Sequence, residues 1–325
     1  MLLKRGKLTK IKILIVGVLL LSISDVCKAQ FDGIYSQHMY LKSFYNPASV
    51  GEQELSRILV AQRLDWVGIT NAPKTTLFSV NTPFTIGKTD HAAGIQLISD
   101  VFGIFANQQI NLQYAYKHKF NFGVLSVGAN IGAINLICYG DSVKMVESDY
   151  HSEANADPAI PIGTQTGIGF DLGFGVYFTN ATWYAGVSLL HALGSEIQLG
   201  DQYDFYVGQM MTMTGGYNIK LPNNTYQIKP SVFLCTDFAS WQLIAGAVLD
   251  YKELYWGGIA YSIQRAVSFS FGMEIIDGLD LGYCYDLPTS YMIQATHGSH
   301  EIYLSYDFNL IKPKQNNKHK SIRLL

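Results

Sequence analysis

The sequence predicts an all-β fold, a transmembrane antiparallel β-barrel of about 14 strands with an N-terminal plug-like segment. Apolar and polar side chains alternate in repeated blocks of about ten residues, the length of a membrane-crossing strand. Charged residues make up only 15% of the chain, while aromatic residues make up 13%. A soluble β-sandwich would carry charged outer faces, so the composition favours a barrel in a bacterial outer membrane.

The N-terminus has the features of an export signal. Five basic residues lie within Lys4–Lys12, an apolar run follows over Ile13–Ile23, and Cys27–Gln30 supplies small residues for cleavage. This pattern predicts a signal peptide over residues 1–29. The apolar run is about eleven residues, which is too short to favour a permanent membrane helix. A lipoprotein anchored at Cys27 is the alternative.

The mature chain is acidic. Removing residues 1–29 takes away six basic residues and one acidic residue, leaving 17 Lys+Arg against 24 Asp+Glu and a net charge of −7. Nucleic-acid binding then lacks its electrostatic basis. The remaining cysteines, Cys138, Cys235 and Cys284, are odd in number and lack metal-ligand spacing. We therefore expect no nucleic acid, no metal and no cofactor.

Alternation and turn residues predict four regions: a signal peptide (1–29), an N-terminal plug or lead-in (30–55), a transmembrane barrel (56–310) and a basic periplasmic tail (311–325). The clearest block alternates Ile168, Phe170, Leu172, Phe174, Val176 and Phe178 with Gly169, Asp171, Gly173, Gly175 and Tyr177. Fourteen strands are predicted, over 56–66, 74–82, 91–100, 108–119, 122–134, 166–178, 182–192, 207–219, 225–236, 240–251, 254–262, 267–276, 279–287 and 301–309.

The connections between these blocks predict an orientation. Most even-numbered connections are short, whereas the long ones, Asn135–Gln165, Leu193–Tyr206 and Pro288–His300, are odd-numbered. Outer-membrane barrels have short periplasmic turns and long external loops. The second connection, Pro83–Asp90, is an exception because it reads as a longer loop. The acidic connection Asn135–Gln165 is the candidate for partner contact.

Two further features concern the barrel interior. Residues 30–52 alternate weakly and contain a turn at Tyr45–Ala48, so they form either a plug in the lumen or an extended periplasmic lead-in. Arg63 and Glu301 fall on the polar faces of the first and last strands, which are neighbours in a closed barrel. We expect the two side chains to meet inside this seam, because charges facing lipid are costly.

Other charges on polar strand faces are expected to line the lumen: Lys117, Asp171, Asp250, Asp280, Asp286 and Asp307. None of them accompanies a nucleophile or base motif, so we expect no catalytic residue and no enzyme activity. A lipid-A-type barrel enzyme lacks a recognisable site here.

Several short motifs resemble the PorP/SprF family of outer-membrane proteins from type IX secretion. They are Ser36–Tyr40, Tyr45–Gly51, Arg63, Asp65–Trp66, Ala72–Thr75, Tyr114–Tyr116, Asp157–Pro158, Tyr184–Ser188, Gly282–Asp286 and Gly298–Ile302. The resemblance runs from Ser36 to Phe308, and Ser49-Val50 and Asp65 depart from the family pattern. It marks as motif or structural positions Tyr45, Asn46, Pro47, Ala48, Arg63, Trp66, Gly298, Ser299, His300 and Glu301.

The resemblance implies a non-enzymatic barrel in the cell outer membrane, surrounded by its lipid. Type IX secretion exports adhesins and proteases in gliding and related bacteria. Family members either join the secretion machinery through its periplasmic ring proteins or hold a particular secreted adhesin at the surface. The alternative is a transporter of hydrophobic small molecules, because an Asn-Pro-Ala segment before fourteen strands also resembles long-chain fatty-acid transporters.

Overall fold

The computed structural model describes residues 32–142, 163–200, 203–222 and 225–310. The predicted signal peptide, the basic tail and most of the acidic connection lie outside these residues. The strands are β1 (Ser56–Leu64), β2 (Lys74–Ile86), β3 (Thr89–Phe102), β4 (Phe105–Phe120), β5 (Gly123–Tyr139), β6 (Thr164–Thr179), β7 (Trp183–Leu190), β8 (Glu196–Leu199), β9 (Tyr203–Tyr206), β10 (Met210–Tyr217), β11 (Ile219–Lys220), β12 (Tyr226–Thr236), β13 (Trp241–Tyr251), β14 (Tyr255–Ser262), β15 (Ala266–Ile276), β16 (Leu279–Pro288) and β17 (Ser299–Phe308).

The fourteen predicted barrel strands are confirmed. They are β1–β7, β10 and β12–β17, and each pairs antiparallel with its neighbours around a closed ring. The ring closes where β1 pairs with β17, in a register that runs from Ser56↔Phe308 to Leu64↔His300. β11 is a two-residue strand that pairs with β12. β8 and β9 form a separate hairpin inside a connection that the sequence pattern reads as a loop.

The helical elements are short and are not part of the barrel wall. Helix α1 spans Lys42–Tyr45, and 3-10 turns span Pro47–Ser49, Gly140–Ser142 and Tyr291–Gln294. Among the described residues, none of the helices has the length and apolar character needed to cross a membrane.

Strand alternation places apolar side chains outside and polar side chains inside. On β4 the outward residues Ile110, Leu112, Tyr114 and Tyr116 are exposed, whereas Asn111, Gln113, Ala115 and Lys117 are buried in the interior. The same parity exposes Ile168 and Phe170 on β6 and buries Asp171 and Tyr177. An apolar exterior around a polar interior is the expected arrangement of an outer-membrane barrel.

The second connection is shorter than the sequence pattern suggests. β2 continues to Ile86 and β3 begins at Thr89, so a two-residue turn, Gly87-Lys88, replaces the expected loop Pro83–Asp90. Gly87 has a φ of +63°, which a glycine adopts without strain. Pro83 fits inside β2 because β1 pairs with β2 only as far as Asn81, leaving β3 as the sole partner there.

The two ends of the barrel therefore differ. The fully described even-numbered connections are two or three residues long: 87–88, 121–122, 180–182, 252–254 and 277–278. We call this rim the short-turn end. The opposite rim, the long-loop end, carries the connections 140–163, 191–209 and 289–298.

Candidate functional site

The seam between β1 and β17 holds a buried ion network. Arg63 lies directly opposite Glu301 in the strand register, and its Nη1 binds the Glu301 carboxylate. Both side chains are fully buried. The prediction that these two residues meet inside the seam is confirmed. Strand alternation is the cause, since both positions have inward parity where the barrel closes.

Three further charged groups complete this network. The Arg63 guanidinium contacts Asp65 at 2.7 Å and Asp286 at 2.9 Å through Nη2. A second cation, Arg265, lies 3.2 Å from Asp65. Asp286 follows the inward parity that the sequence predicts. Arg265 lies in the connection after β14, where no periodicity could have revealed it.

Residues 32–55, the N-terminal segment, bind this network through hydrogen-bond donors. The backbone N–H groups of Ser36 and Gln37 donate to Glu301 at 2.6 and 3.2 Å, and the Ser36 hydroxyl donates to Asp286 at 2.8 Å. The network holds three carboxylates and two guanidinium groups, so one negative charge is unbalanced. Charge-assisted hydrogen bonds from the segment offset that excess. The segment and the seam are therefore one electrostatic unit.

The Tyr45–Ala48 turn contacts the wall opposite the seam. The Asn46 side-chain amide donates to the carbonyls of Val176 on β6 and Val187 on β7, at 3.1 and 3.2 Å. Its oxygen accepts the N–H of Ala48 at 2.9 Å, which caps the 3-10 turn. This asparagine therefore joins a local turn to two strands.

Replacing Asn46 with aspartate is expected to destabilise the folded barrel by about 1–3 kcal/mol. The carboxylate keeps the capping oxygen but loses both donors and sets an oxygen against two carbonyls. The urea midpoint in lipid vesicles measures the effect. Asn180→Asp is the matched control, because Asn180 uses its oxygen to accept from Thr182 and Trp183. Equal midpoints for the two variants would contradict the assigned role of Asn46.

Glycines allow the turn to approach the wall closely. A Cβ at Gly128 on β5 would lie 2.5 Å from the nitrogen of Ala48 and 2.6 Å from its Cα. Gly175 on β6 leaves room for the Asn46 side chain in the same way. Pro47 and Ala48 are buried against these positions.

Other contacts of the N-terminal segment reach strands around the whole ring. The Ser43 carbonyl accepts from Gln96 on β3 and Gln113 on β4, at 2.7 and 2.9 Å. His38 stacks on Phe233 of β12 at 5.2 Å, and Tyr40 stacks on Tyr303 of β17 at 5.1 Å. A segment that contacts inward side chains on opposite walls lies within the lumen. That residues 30–52 form a plug stays a prediction and is taken up below.

A second ionic contact holds the segment at the long-loop end. His191, just after β7, lies between Asp32 at 2.7 Å and Asp171 at 3.0 Å. Burial alone would lower the pKa of His191, but the two carboxylates outweigh burial and raise the pKa to about 10. Burial would raise the pKa of Asp32, but the charge of His191 lowers it. The pair is therefore ionised at neutral pH.

The Asp32–His191 contact predicts a pH dependence. The pKa of His191 is raised on folding, so its stabilisation is complete below its ordinary value of 6.5 and is lost as the pH rises through about 10. The pKa of Asp32 is lowered on folding, so its contribution to stability is complete above its ordinary pKa of 3.8 and is lost as the pH falls further. Protease cleavage next to Asp32 should therefore increase between about pH 6 and about pH 11. His191→Gln should not show this increase, and a parallel increase in both proteins would contradict the assignment.

The Gly298–Glu301 motif shapes the start of β17. Gly298 has a φ of +87°, and a Cβ there would lie 2.7 Å from the carbonyl oxygen of Asp286. The Ser299 hydroxyl accepts the N–H of Trp66 at 3.1 Å. His300 faces away from the network and hydrogen-bonds the Tyr283 hydroxyl at 2.7 Å. Glu301 and Arg63 enter the network, whereas Trp66, Gly298 and Ser299 fix the chain beside it.

Two open pockets remain at the ends of the lumen. The pocket at the long-loop end has a volume of about 390 Å³, and Asp32, Asp65, Asp100 and Arg265 are among its lining residues. The pocket at the short-turn end has a volume of about 310 Å³ and includes Glu52, Glu54, Asp90, Lys117 and Lys119. Both linings combine charged side chains with apolar ones such as Ile34 and Phe102 at the long-loop end and Phe84 and Val124 at the short-turn end. Among the described residues, no group of three or more His, Cys, Asp or Glu side chains is placed to hold a metal ion.

The predicted lumen residues lie where expected, but the sequence missed several partners. Lys117, Asp171, Asp250 and Asp286 are buried in the interior, and Asp307 pairs with Arg57 at 2.6 Å. Asp32 and Arg265 lie outside the predicted strands. The predicted strand 182–192 includes His191, but β7 ends at Leu190 and His191 has a φ of +52°, so alternation does not give its direction. Cys138, Cys235 and Cys284 are buried free thiols.

Comparisons with solved structures find other barrels. The toluene transporter TbuX of Ralstonia pickettii is 10% identical with a TM-score of 0.48, and the match covers 82% of this chain and 92% of that one. The toluene transporter TodX of Pseudomonas putida is 8% identical with a TM-score of 0.48, covering 82% and 92%. The translocator domain of the autotransporter NalP from Neisseria meningitidis is 10% identical with a TM-score of 0.43, covering 84% and 96%.

The family comparison covers most of the sequence. No curated protein matches the chain. The model of the type IX secretion system membrane protein PorP/SprF matches residues 27–306. This range includes the N-terminal segment, the seam and nearly the whole barrel. The chain therefore belongs to the PorP/SprF family of type IX secretion system membrane proteins, and it is a β-barrel of the outer membrane.

Proposed function

We propose that this protein is a non-catalytic docking barrel of type IX secretion whose lumen is plugged by its own N-terminal segment. In this role it associates with the secretion machinery or holds a secreted adhesin at the cell surface. The long-loop end faces the outside, and the short-turn end faces the periplasm.

One observation carries the proposal: the N-terminal segment is bonded to opposite walls of the lumen. It binds Glu301 and Asp286 at the seam and the carbonyls of β6 and β7 across from it. Tyr35, Leu41, Phe44 and Tyr45 pack into the same buried cluster as Phe233, Trp256 and Tyr303. A lumen filled in this way supports binding of a partner at the rims rather than passage through the barrel.

The wall at the long-loop end supports contact with another protein. β5 and β6 extend beyond the neighbouring β7, and the β8–β9 hairpin packs on their inner face through Ile197 and Leu199. Rigid strands that carry a folded connection provide a defined surface for recognition.

The lining of the lumen argues against the alternative of hydrophobic transport. A carrier of apolar molecules requires an apolar passage. Here the pockets at both ends include acidic and basic side chains, and the interior between them contains the Arg63 network and the N-terminal segment.

The proposal is tested by isolating the tagged barrel from outer membranes after chemical crosslinking. We expect type IX secretion components or a secreted adhesin to co-purify with it. Deleting the gene then separates the two roles: loss of many secreted cargos indicates a part of the machinery, and loss of one surface adhesin indicates an anchor. Normal secretion and normal surface display after deletion would refute both roles.

Vesicle permeability tests the plug independently. Vesicles containing the purified barrel should take up sugars no faster than empty vesicles. Rapid uptake through the wild-type barrel would refute the plug while leaving a docking role open to the crosslinking test.

A further inference from the structure

One strand of the wall has an unpaired edge at the long-loop end. β6 pairs with β7 only from Phe174↔Leu189 to Thr179↔Tyr184. From Thr164 to Gly173 its pairing partner is β5, within the part of the chain that the structure describes. The wall therefore has a step, because β6 extends further towards the long-loop end than β7 does.

The hydrogen-bonding direction along β6 shows which groups face this step. Leu172 accepts from the N–H of Ala192, which follows β7, so even-numbered residues direct their backbone groups towards the β7 side. Phe170 is also partly satisfied, because its carbonyl accepts from the Ser195 hydroxyl at 2.6 Å. The backbone groups of Thr164, Thr166 and Ile168 line the remaining edge, and the described residues supply them with no partner.

The outer face of this edge is apolar but lies beside polar neighbours. Ile168 is 77% exposed and Phe170 is 76% exposed. Asn135 on β5 lies directly opposite Ile168, and its amide binds the Gln108 side chain at 3.3 Å. Outward-facing amides indicate that this level lies at or above the polar boundary of the membrane. The edge is therefore accessible to a protein from the aqueous side.

The charges near the edge are acidic. Asp141 accepts the N–H of Gly163 just before β6, and the exposed Glu196 adjoins Ser195 at the lower limit of the step. Asp204 on the hairpin is also exposed. A binding segment that carries lysine or arginine complements this rim.

We propose that the edge of β6 over Thr164–Ile168 docks an extended, basic segment of a partner protein by β-strand addition. A row of free backbone donors and acceptors is complementary to another extended backbone. Apolar side chains at alternate positions of the added strand pack beside Ile168 and Phe170, and basic side chains meet Asp141 and Glu196. This proposal rests on the docking role and specifies how the partner is held.

Disulfide trapping with a synthetic peptide tests the edge without the natural partner. The probe is a set of eight-residue Lys-Val repeat peptides, each carrying one cysteine at a different position, offered to purified barrels that carry Ile168→Cys. The thiols of Cys138, Cys235 and Cys284 are buried, so they do not compete. We expect trapping that alternates with period two along the peptide, because strand side chains alternate between faces.

Matched variants identify the edge as the binding site. Thr166→Pro removes an edge N–H that β5 does not use, so the barrel should stay folded while trapping falls at least about tenfold. Thr166→Val, made in the same Ile168→Cys barrel, keeps the N–H and should trap as much peptide as Ile168→Cys alone. Asn135→Cys lies at the same height but one strand from the edge, so it should trap little of the Lys-Val peptides. Ile168→Cys should in turn trap little of an otherwise identical set of Glu-Val repeat peptides.

Several outcomes would overturn the proposal: no trapping at Ile168→Cys, trapping without alternation, or equal trapping after Thr166→Pro in barrels that keep their folded gel mobility. The readout uses only the barrel and peptides. A failed crosslinking experiment would therefore leave the trapping result unchanged. Failure of the docking role and failure of the β6 edge can be told apart in this way.

Discussion

Replacing Arg63 with alanine is expected to destabilise the folded barrel by about 3–5 kcal/mol, the usual cost of removing one partner of a buried ion pair. Arg63 is fully buried and contacts three carboxylates, those of Asp65, Asp286 and Glu301. Without it, Arg265 is the single cation of the network, and it reaches Asp65 alone. Two buried carboxylates, those of Asp286 and Glu301, are then left with hydrogen bonds from Ser36, Gln37 and the Cys284 thiol. Urea unfolding in vesicles, followed by gel mobility, measures the loss.

Two variants test whether the loss of stability comes from the Arg63 network rather than from removal of any ion pair between these strands. Arg63→Lys keeps the charge but cannot bind several carboxylates at once. Its free energy of unfolding should therefore lie between those of the wild type and Arg63→Ala. Arg57→Ala is the matched control, because Arg57 joins the same two strands through Asp307 with side chains that are 15% and 13% exposed. That pair is more solvated and involves a single carboxylate, so its removal should cost less than the removal of Arg63. Equal losses at Arg57 and Arg63 would contradict a special role for the network.

Replacing Gly128 with valine is expected to displace the N-terminal segment from the lumen. The new Cβ would lie 2.5–2.6 Å from backbone atoms of Pro47 and Ala48, which cannot move aside as a flexible side chain can. Overpacking of this kind costs about 1–3 kcal/mol. Since about 1.4 kcal/mol corresponds to a tenfold change in an equilibrium, protease cleavage within residues 35–50 should rise by about five- to 150-fold. Vesicles with this variant should also become permeable to sugars.

The control for Gly128 is Gly215→Val on β10. A Cβ at Gly215 meets its nearest neighbours at 3.7 Å, which is ordinary contact, so cleavage should stay at the wild-type level. Cleavage of the Gly128 variant at the wild-type rate would show that the turn does not depend on close approach to β5. Unfolding of the whole barrel is recognised by its gel mobility and separated from release of the segment alone.

The sequence predicts the wall well because a strand between lipid and a polar lumen must alternate. This constraint identified the fourteen strands and gave Arg63, Asp286 and Glu301 their inward positions. It also located the closing seam, because the first and last strands of a barrel must pair. Prediction was poorer where alternation and turn signals compete, as at Pro83, which reads as a loop but lies within β2.

Residues outside the strands could not be placed in this way. Arg265, His191 and Asp32 enter ionic contacts from connections or from the N-terminal segment, where no period relates sequence to direction. The β8–β9 hairpin escaped prediction for a related reason. Its strands are four residues each, which is too short for alternation to distinguish them from a polar loop.

The contact between Glu301 and the backbone of Ser36 and Gln37 has a consequence for how the barrel assembles. It joins residues 264 and 265 positions apart in the chain, and Arg63 adds the neighbouring strand to the same contact. Closing the ring and seating the segment are therefore one event, with the high entropic cost of a long-range contact. We expect folding to pass through an open sheet in which most hairpins have formed, and to end when β17 meets β1 and the N-terminal segment. A chain that closes without its segment would leave the Arg63 network incomplete, so the seam itself favours barrels that are already filled.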